Sequence, residues 1–442
     1  MNRQSEPSPK DLGARTAPAR ELQIRVVDSI GQVSAAEWDA CANPGTGSAH
    51  DRSEVMPPVH AMSEQLDTAD SSAQEIDQET EYNPFISHDF LWALEESNSV
   101  GGRSGWQAQH VLARTLDGAL VAAAPCYLKD HSRGEYVFDR GWAEAYERAG
   151  GDYYPKLQVA VPFTPATGRR LLVRQGPHAQ AVGRALATGL KEICGLSGAS
   201  GVHVTFATEP EYRLLGELGY LQRMDQQFHW ENAGYATFDD FLAALSSRKR
   251  KTIRRERQDA LENGITVHWL TGSELTEAVW DAFFEFYMET GSRKWGRPYL
   301  TRSFYSLAGE KMRDRIVLMM AKRAGRWIAG AINFRGSHTL FGRHWGAIEH
   351  HPFLHFELCY YQAIDYAIAH KLSRVEAGAQ GEHKISRGYM PKTTYSAHYI
   401  ADPALRRAIG DYLVRERAYV AAVGAELAAT APFRKDVTIE HD

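Results

Sequence analysis

Cysteine is scarce in this chain of 442 residues: Cys41, Cys126, Cys194 and Cys359 stand far apart, mostly in apolar contexts. That density excludes a disulfide framework and that spacing excludes a paired-cysteine metal site, so buried thiols are expected. No run reaches the roughly 18 to 20 apolar residues that span a bilayer. Met1 to Arg20 is polar, with Pro7, Pro9 and Pro18 where a secretory signal has its apolar core. No membrane span and a cytoplasmic location are therefore expected. No G-x-G-x-x-G follows the opening strands and no G-x-x-x-x-G-K-[ST] occurs, which leaves dinucleotide and P-loop readings without support. A formal net charge of −5 gives no nucleic-acid signal for the protein as a whole, and no DNA partner is expected.

What the chain does have is repetition. Ile24-Arg25-Val26-Val27 is followed by Trp38-Asp39-Ala40, and Ile265-Thr266-Val267-His268 by Trp280-Asp281-Ala282. Val111-Leu112-Ala113 precedes Gly118 to Ala124, as Val317-Leu318-Met319 precedes Gly325 to Ala331. Gly219-Tyr220 stands ten residues before His229, and Gly388-Tyr389 ten before His398. A period of roughly 170 to 240 residues is too long for a solenoid and implies two related units. Length and a hydrophobic content of 43% suit two ordinary soluble cores.

Each unit reads as strand, helix, helix, then an antiparallel meander, a helix and further strands. In the second, residues 316–321, 327–333 and 337–345 form the meander. Phe356, Cys359, Tyr360, Ala363, Ile364, Ala367 and Ile368 then recur at helical spacing, and residues 374–377 read as a strand. This order predicts an α+β (mixed α/β) fold rather than a doubly wound parallel one. The expected layout is a disordered tail over 1–20, a first unit over 21–230, a second over 231–432 and a short tail over 433–442. Residues 46–82, acidic, Ser-rich and aperiodic, read as a flexible insertion in the first unit.

Several stretches carry a family resemblance. In the first unit they are Asn83 to His88, His131 to Phe138, Tyr153 to Leu157 and Val161 to Pro165. In the second they are Gly342 to Gly346, Leu354 to Tyr361 and Gly378 to Lys384. Together they resemble the Fem-like GNAT family of peptidoglycan biosynthesis or recognition proteins, in which the GNAT acyltransferase fold occurs twice. The resemblance implies acyl or aminoacyl transfer to an amine, with no tightly bound cofactor and with acyl-CoA or aminoacyl-tRNA as co-substrate. The implied acceptor is a small-molecule or glycopeptide amine.

Acyl transfer needs a neutral amine, donors for the developing oxyanion and an acid for the leaving group. GNAT proteins hold the acyl-CoA pyrophosphate with a Q/R-x-x-G-x-G/A loop that opens a helix. Gln180, Gly183 and Ala185 fit that pattern; helix packing by small residues is the competing reading. Arg343-His344-Trp345-Gly346-Ala347 is an incomplete version in the second unit, where His344 and Trp345 lie on the expected splayed strand. Arg248 to Arg257 packs seven positive charges into ten residues. Arg248, Arg250 and Arg254 would suit a charged tRNA, with a solvated helix face as the alternative.

The two units diverge most over Gly378 to Tyr389. His383 is the candidate general base there, Glu382 its orienting acid and Tyr389 a leaving-group acid. Lys384 and Arg387 are candidates for a phosphate or carboxylate. His355 and Glu357, opening the next helix, are candidate substrate contacts; Glu357 would also complement the helix dipole. In the first unit, His131, Glu135, Tyr136 and Lys156 are polar for a sheet segment and candidates for an acceptor groove. No metal site is expected, because Pro352 breaks the helical relation of His351 to His355 and no Cys pair accompanies them. The rival function is a non-catalytic module that recognises a peptidoglycan precursor or related glycopeptide.

Overall fold

A computed structural model describes residues 21–45, 81–295, 298–378 and 381–434. Most of the 46–82 insertion and the tails at 1–20 and beyond 434 lie outside the described residues. The first half runs β1 (Leu22–Val27), α1 (Ala35–Ala42), α2 (His88–Glu96), β2 (Trp106–Ala108), β3 (His110–Thr115), β4 (Leu120–Ala124) and β5 (Cys126–Lys129). It continues through α3 (Arg140–Arg148), β6 (Lys156–Val159), β7 (Leu172–Val173), α4 (Ala179–Ser197), β8 (Gly201–Ala207), α5 (Glu209–Glu217) and β9 (Leu221–Glu231). Helices α6 (Phe238–Ala244) and α7 (Ser247–Ala260) lead into the second half.

There β10 (Thr266–Leu270), α8 (Glu277–Trp295) and α9 (Arg302–Met312) precede the meander of β11 (Ile316–Arg323), β12 (Arg326–Arg335) and β13 (Thr339–Ala347). The helix expected after Pro352 is interrupted: α10 (Leu354–Phe356) passes through a π turn at Glu357–Tyr361 into α11 (Gln362–Ala369). Then come β14 (Arg374–Glu376), a 3-10 segment at Glu382–Arg387, β15 (Met390–Ile400) and α12 (Pro403–Ala429). The meander, the strand at 374 and the mixed α/β class follow the sequence. Residues 131–138 do not: β5 ends at Lys129 and the chain loops to α3, turning through Gly134 (φ 80) and Tyr136 (φ 61).

Strands β1-β3-β4-β7 make a four-stranded sheet. The other eleven form one sheet in the order β10-β11-β12-β13-β14-β9-β15-β8-β6-β5-β2. Its centre has an approximate twofold relation. The parallel pair β13·β14 in the second half matches the parallel pair β6·β8 in the first. Beside β14 lies β9, the closing strand of the first half; beside β8 lies β15, the closing strand of the second. The two exchanged strands pair antiparallel from Met390↔His229 to His398↔Leu221.

The helices seal this arrangement. Trp280, Phe283 and Phe286 on α8 share one core with Trp38 on α1, Phe85 and Phe90. Phe90 meets Phe304 at 5.8 Å and Phe334 at 5.5 Å between ring centroids, so both halves contribute to it. A second cluster packs α11, Tyr360, Tyr361 and Tyr389 against the opposite face of the second-half strands. Burying side chains of this size contributes about 1.5–3 kcal/mol each.

Candidate functional site

The β13·β14 ladder is short: Thr339↔Arg374, Leu340↔Val375 and Phe341↔Glu376. Past Phe341 the strands part. β13 continues on β12 alone, and Ala331 faces Trp345 while Asn333 faces Gly342, so β13 carries an extra residue, a bulge at Arg343–His344. β14 stops at Glu376 and the chain turns through Gly378 (φ 81). Residues 342–345 keep only partial exposure between buried neighbours, which places a wedge here in the middle of the sheet. The parted edge offers backbone groups that no strand satisfies.

On the α10–α11 face, aromatic rings and imidazoles form a chain. Trp345 lies 5.2 Å from His355, and His355 5.5 Å from Tyr360. The Tyr360 hydroxyl reaches His383 Nε2 at 3.1 Å. Gly381 (φ 114) lets the backbone pass under the His383 ring, where a Cβ would collide with it. Burial, with the Arg387 and Lys384 charges, holds the His383 imidazole below its usual pKa. Glu382 is exposed, and the His383 ring shares its hydrogen bond with Tyr360 instead.

The remaining residues of this segment secure it. Lys384 is buried and Nζ donates to the Ala377 carbonyl at 2.8 Å and the Gly378 carbonyl at 3.0 Å; burial lowers it to about 8. Arg387 lies 3.5 Å over the Phe356 ring and donates to both Glu256 oxygens at 2.9 and 3.0 Å. Glu357 is fully buried, bound by Arg257 at 2.9 Å and Gln362 at 2.7 Å. Tyr389 is fully buried and donates to the Tyr360 carbonyl at 3.0 Å. Its hydroxyl is engaged, and burial pushes its pKa well up.

The opposite face joins the two halves. Arg343 donates to the Phe163 carbonyl and hydrogen-bonds Tyr136. Phe163 stacks on Tyr299 at 4.7 Å. The His344 ring lies 5.0 Å from Tyr287, and burial pushes its pKa down to about 3, so it is neutral. Glu376, 5% exposed, ends β14 on this face, and burial raises it to about 7. His229, on the exchanged strand β9, lies 4.0 Å from it.

Of the first-half candidates, Tyr136 reaches the wedge and the others do not line a groove. Lys156 is fully buried, donating to Ser132 at 2.8 Å, to Glu135 at 2.7 Å and to Asp139. Burial raises Glu135 to about 7. His131 Nδ1 accepts from the Arg133 amide at 3.2 Å.

Gln180, Gly183 and Ala185 lie inside α4, which starts at Ala179, and the Val182 amide already bonds the His178 carbonyl at 3.0 Å. Gly183 faces Val173 and Leu214, a helix-packing position. On α7, Arg254 pairs with Asp239 at 2.9 Å and Arg250 reaches the Leu245 carbonyl at 3.5 Å, whereas Arg248 is exposed. α7 packs beside the His383 segment. Among the described residues no cluster of three or more His, Cys, Asp or Glu is arranged to hold a metal, and no helix is long and apolar enough to cross a membrane.

Sequence reasoning missed Tyr360, Glu376 and His229. The signal for Glu376 was present: a single acid between Val375 and Ala377 in an otherwise buried strand.

The sequence pattern of the FemAB-like family, described as peptidoglycan biosynthesis/recognition, matches residues 29–435. No curated protein matches. Among solved structures, FemX is similar at 13% identity and a TM-score of 0.45, covering 70% of this chain and 91% of its own. A tandem GNAT protein from the clavulanic acid biosynthesis pathway is similar at 13% identity and 0.41, covering 87% and 99%. L-PGS from Bacillus licheniformis is similar at 11% identity and 0.45, covering 77% and 99%.

Proposed function

The chain belongs to the FemAB-like family, and from that premise we propose that it transfers an acyl or aminoacyl group to an amine in the wedge between β13 and β14. The observation that carries this reading is the wedge itself. A strand that bulges and leaves its partner mid-sheet presents unpaired amides to a carbonyl turning anionic, in a site partly shielded from water.

The donor is assigned to the α10–α11 face and the acceptor to the face of Arg343, His344 and Tyr136. The turn before α10 contains Glu349, paired with Arg323 at 2.8 Å and His351 at 2.9 Å, and has no glycine loop for a pyrophosphate. The neighbouring α7 presents Arg248, Lys249 and Lys251, for which no acidic partner occurs among the described residues. That balance favours an aminoacyl-tRNA over an acyl-CoA, and hence a cytoplasmic setting. A neutral imidazole that accepts the Tyr360 proton at Nε2 carries its own on Nδ1. With the Tyr360 hydroxyl donating to Nε2, His383 Nδ1–H is a hydrogen-bond donor to the leaving atom; with the opposite tautomer His383 is the base expected from sequence.

The test is transfer of radiolabelled amino acid from charged tRNA to a panel of amines, run beside acetyl-CoA. Transfer from tRNA, lost when Arg248, Lys249 and Lys251 are all changed to Glu, supports the reading. Binding of a peptidoglycan precursor with no transfer from either donor would replace it with the recognition module.

A further inference from the structure

Glu376 is an anomaly on the acceptor face. It alternates with Val375, which packs under α11, so its side chain lies on the same side as Phe341 and Arg343. The Thr167 amide serves the carboxylate, yet Oε2 has no hydrogen-bond partner. The nearest candidate donor, His229, is turned elsewhere. Gln227 Nε2 donates to the Pro165 carbonyl at 2.6 Å, which fixes Gln227 Oε1 as an acceptor 3.2 Å from His229 Nε2. His229 Nε2–H therefore points to Gln227, and its distance to Glu376 stays at 4.0 Å.

A buried carboxylate oxygen without a donor forfeits the hydration it had in the unfolded chain and gains nothing in its place. Such a deficit is understandable where a ligand supplies the missing N–H. The position fits: Phe341↔Glu376 is the last pair before the wedge opens. Residues 163–167 of the first half roof this spot through the Phe163, Pro165 and Thr167 backbone. The charges facing Glu376 are Arg374 on its own strand, Arg343 on β13, Arg170 from the first half and Glu81; His229 stands on β9.

We propose that the Glu376 carboxylate is the proton acceptor for the attacking amine. The assignment rests on the transferase reading and deepens it. The acceptor arrives as an ammonium, and one proton passes to Oε2. The freed lone pair forms the new C–N bond at the acyl carbon. The C–O ester bond of the aminoacyl-tRNA then breaks, its electron pair leaving on the ribose oxygen, which takes the second proton from nitrogen. Glu376 returns its proton to solvent. One ammonium and one ester thus give one amide, one hydroxyl and one proton. A carboxyl group raised to about 7 both takes and releases that proton near neutrality.

The test compares two nucleophiles with bulk charged tRNA as donor. Glycinamide must lose a proton before attack; hydroxylamine is already neutral at neutral pH. Glu376→Gln is expected to slow transfer to glycinamide about 10²-fold and to leave transfer to hydroxylamine unchanged. In the wild type, the glycinamide rate should show an acid limb near neutrality that the hydroxylamine rate lacks. Equal losses on both nucleophiles, no loss on glycinamide, or a shared pH profile would each overturn the assignment. Absence of transfer by the wild type to either nucleophile would overturn the transferase reading, and this assignment with it. The wild-type pH profile decides the matter if the variant does not fold.

Discussion

Tyr220 and Tyr389 occupy matching places in the two halves. Each is buried immediately before an exchanged strand, and each donates its hydroxyl to a helix carbonyl, Tyr220 to Ala187 at 2.7 Å and Tyr389 to Tyr360 at 3.0 Å. A group kept by both halves in one geometry serves the scaffold. Tyr220→Phe and Tyr389→Phe should each lower unfolding free energy by about 0.5–1.5 kcal/mol in urea titrations and leave turnover near wild type. His383→Ala should do the reverse, lowering turnover about 10²-fold with the melting temperature retained. A catalytic loss in Tyr389→Phe matching that of His383→Ala would return Tyr389 to the chemistry.

Gly346 decides how closely α8 sits on β13. A Cβ there would overlap the Phe286 carbonyl oxygen, and backbone cannot swing aside as a side-chain tip can. Gly346→Ala should destabilise by about 1–3 kcal/mol or more. Gly195, within α4, has open space around it, and Gly195→Ala should stabilise by about 0.4–1 kcal/mol. Differential scanning calorimetry of the pair tests the packing; equal small effects would contradict it.

The basic helix carries paired and unpaired charges, and the two sets are expected to respond differently to substitution. Arg257 compensates Glu357, which has no solvent contact, so Arg257→Ala should cost about 3–5 kcal/mol by stranding a buried charge. Changing Arg248, Lys249 and Lys251 together should leave stability within about 0.5 kcal/mol and reduce the salt dependence of tRNA binding. Filter binding across a salt series reads the second effect and chemical denaturation the first.

Two buried groups at the wedge respond oppositely to pH. His344 falls from its ordinary 6.5 to about 3, so the folded state resists a proton that the unfolded chain accepts. Its contribution is present above pH 6.5 and is lost as pH falls from there towards 3. Glu376 rises from 4.5 to about 7, so its contribution is present below pH 4.5 and is lost as pH climbs through 7. Glu376→Gln should therefore gain stability relative to wild type between pH 4.5 and 7. Melting temperatures taken across that range check the sign; a difference independent of pH would refute it.

The local elements were legible. The stripes around Trp280 and Phe283 and the meander at 316–347 follow from periodicity, which each segment carries within itself. The π turn at Glu357–Tyr361 was hidden, because the spacing of Phe356, Cys359 and Tyr360 is indistinguishable from an unbroken helix. Residues 131–138 read as strand-like, yet the loop exists to bring Glu135 and Asp139 onto the buried Lys156. The exchange of β9 and β15 could not be read, since a strand's neighbours depend on which edge is free after collapse. Glycines and crowded polar residues marked 378–389 as a tight polar turn, which the structure has as the 3-10 segment at Glu382–Arg387. Glu376 was legible only as a lone acid in an apolar strand, and the missing donor at its carboxylate is a property of three dimensions.

The exchanged strands also bear on how such a chain can change over time. Gln227 and His229 are encoded in the first half but stand beside Glu376 in the second. A substitution at these first-half positions therefore acts directly on the second-half wedge. Neither repeat is free to decay as a spare, and selection on one chemistry is enough to preserve both.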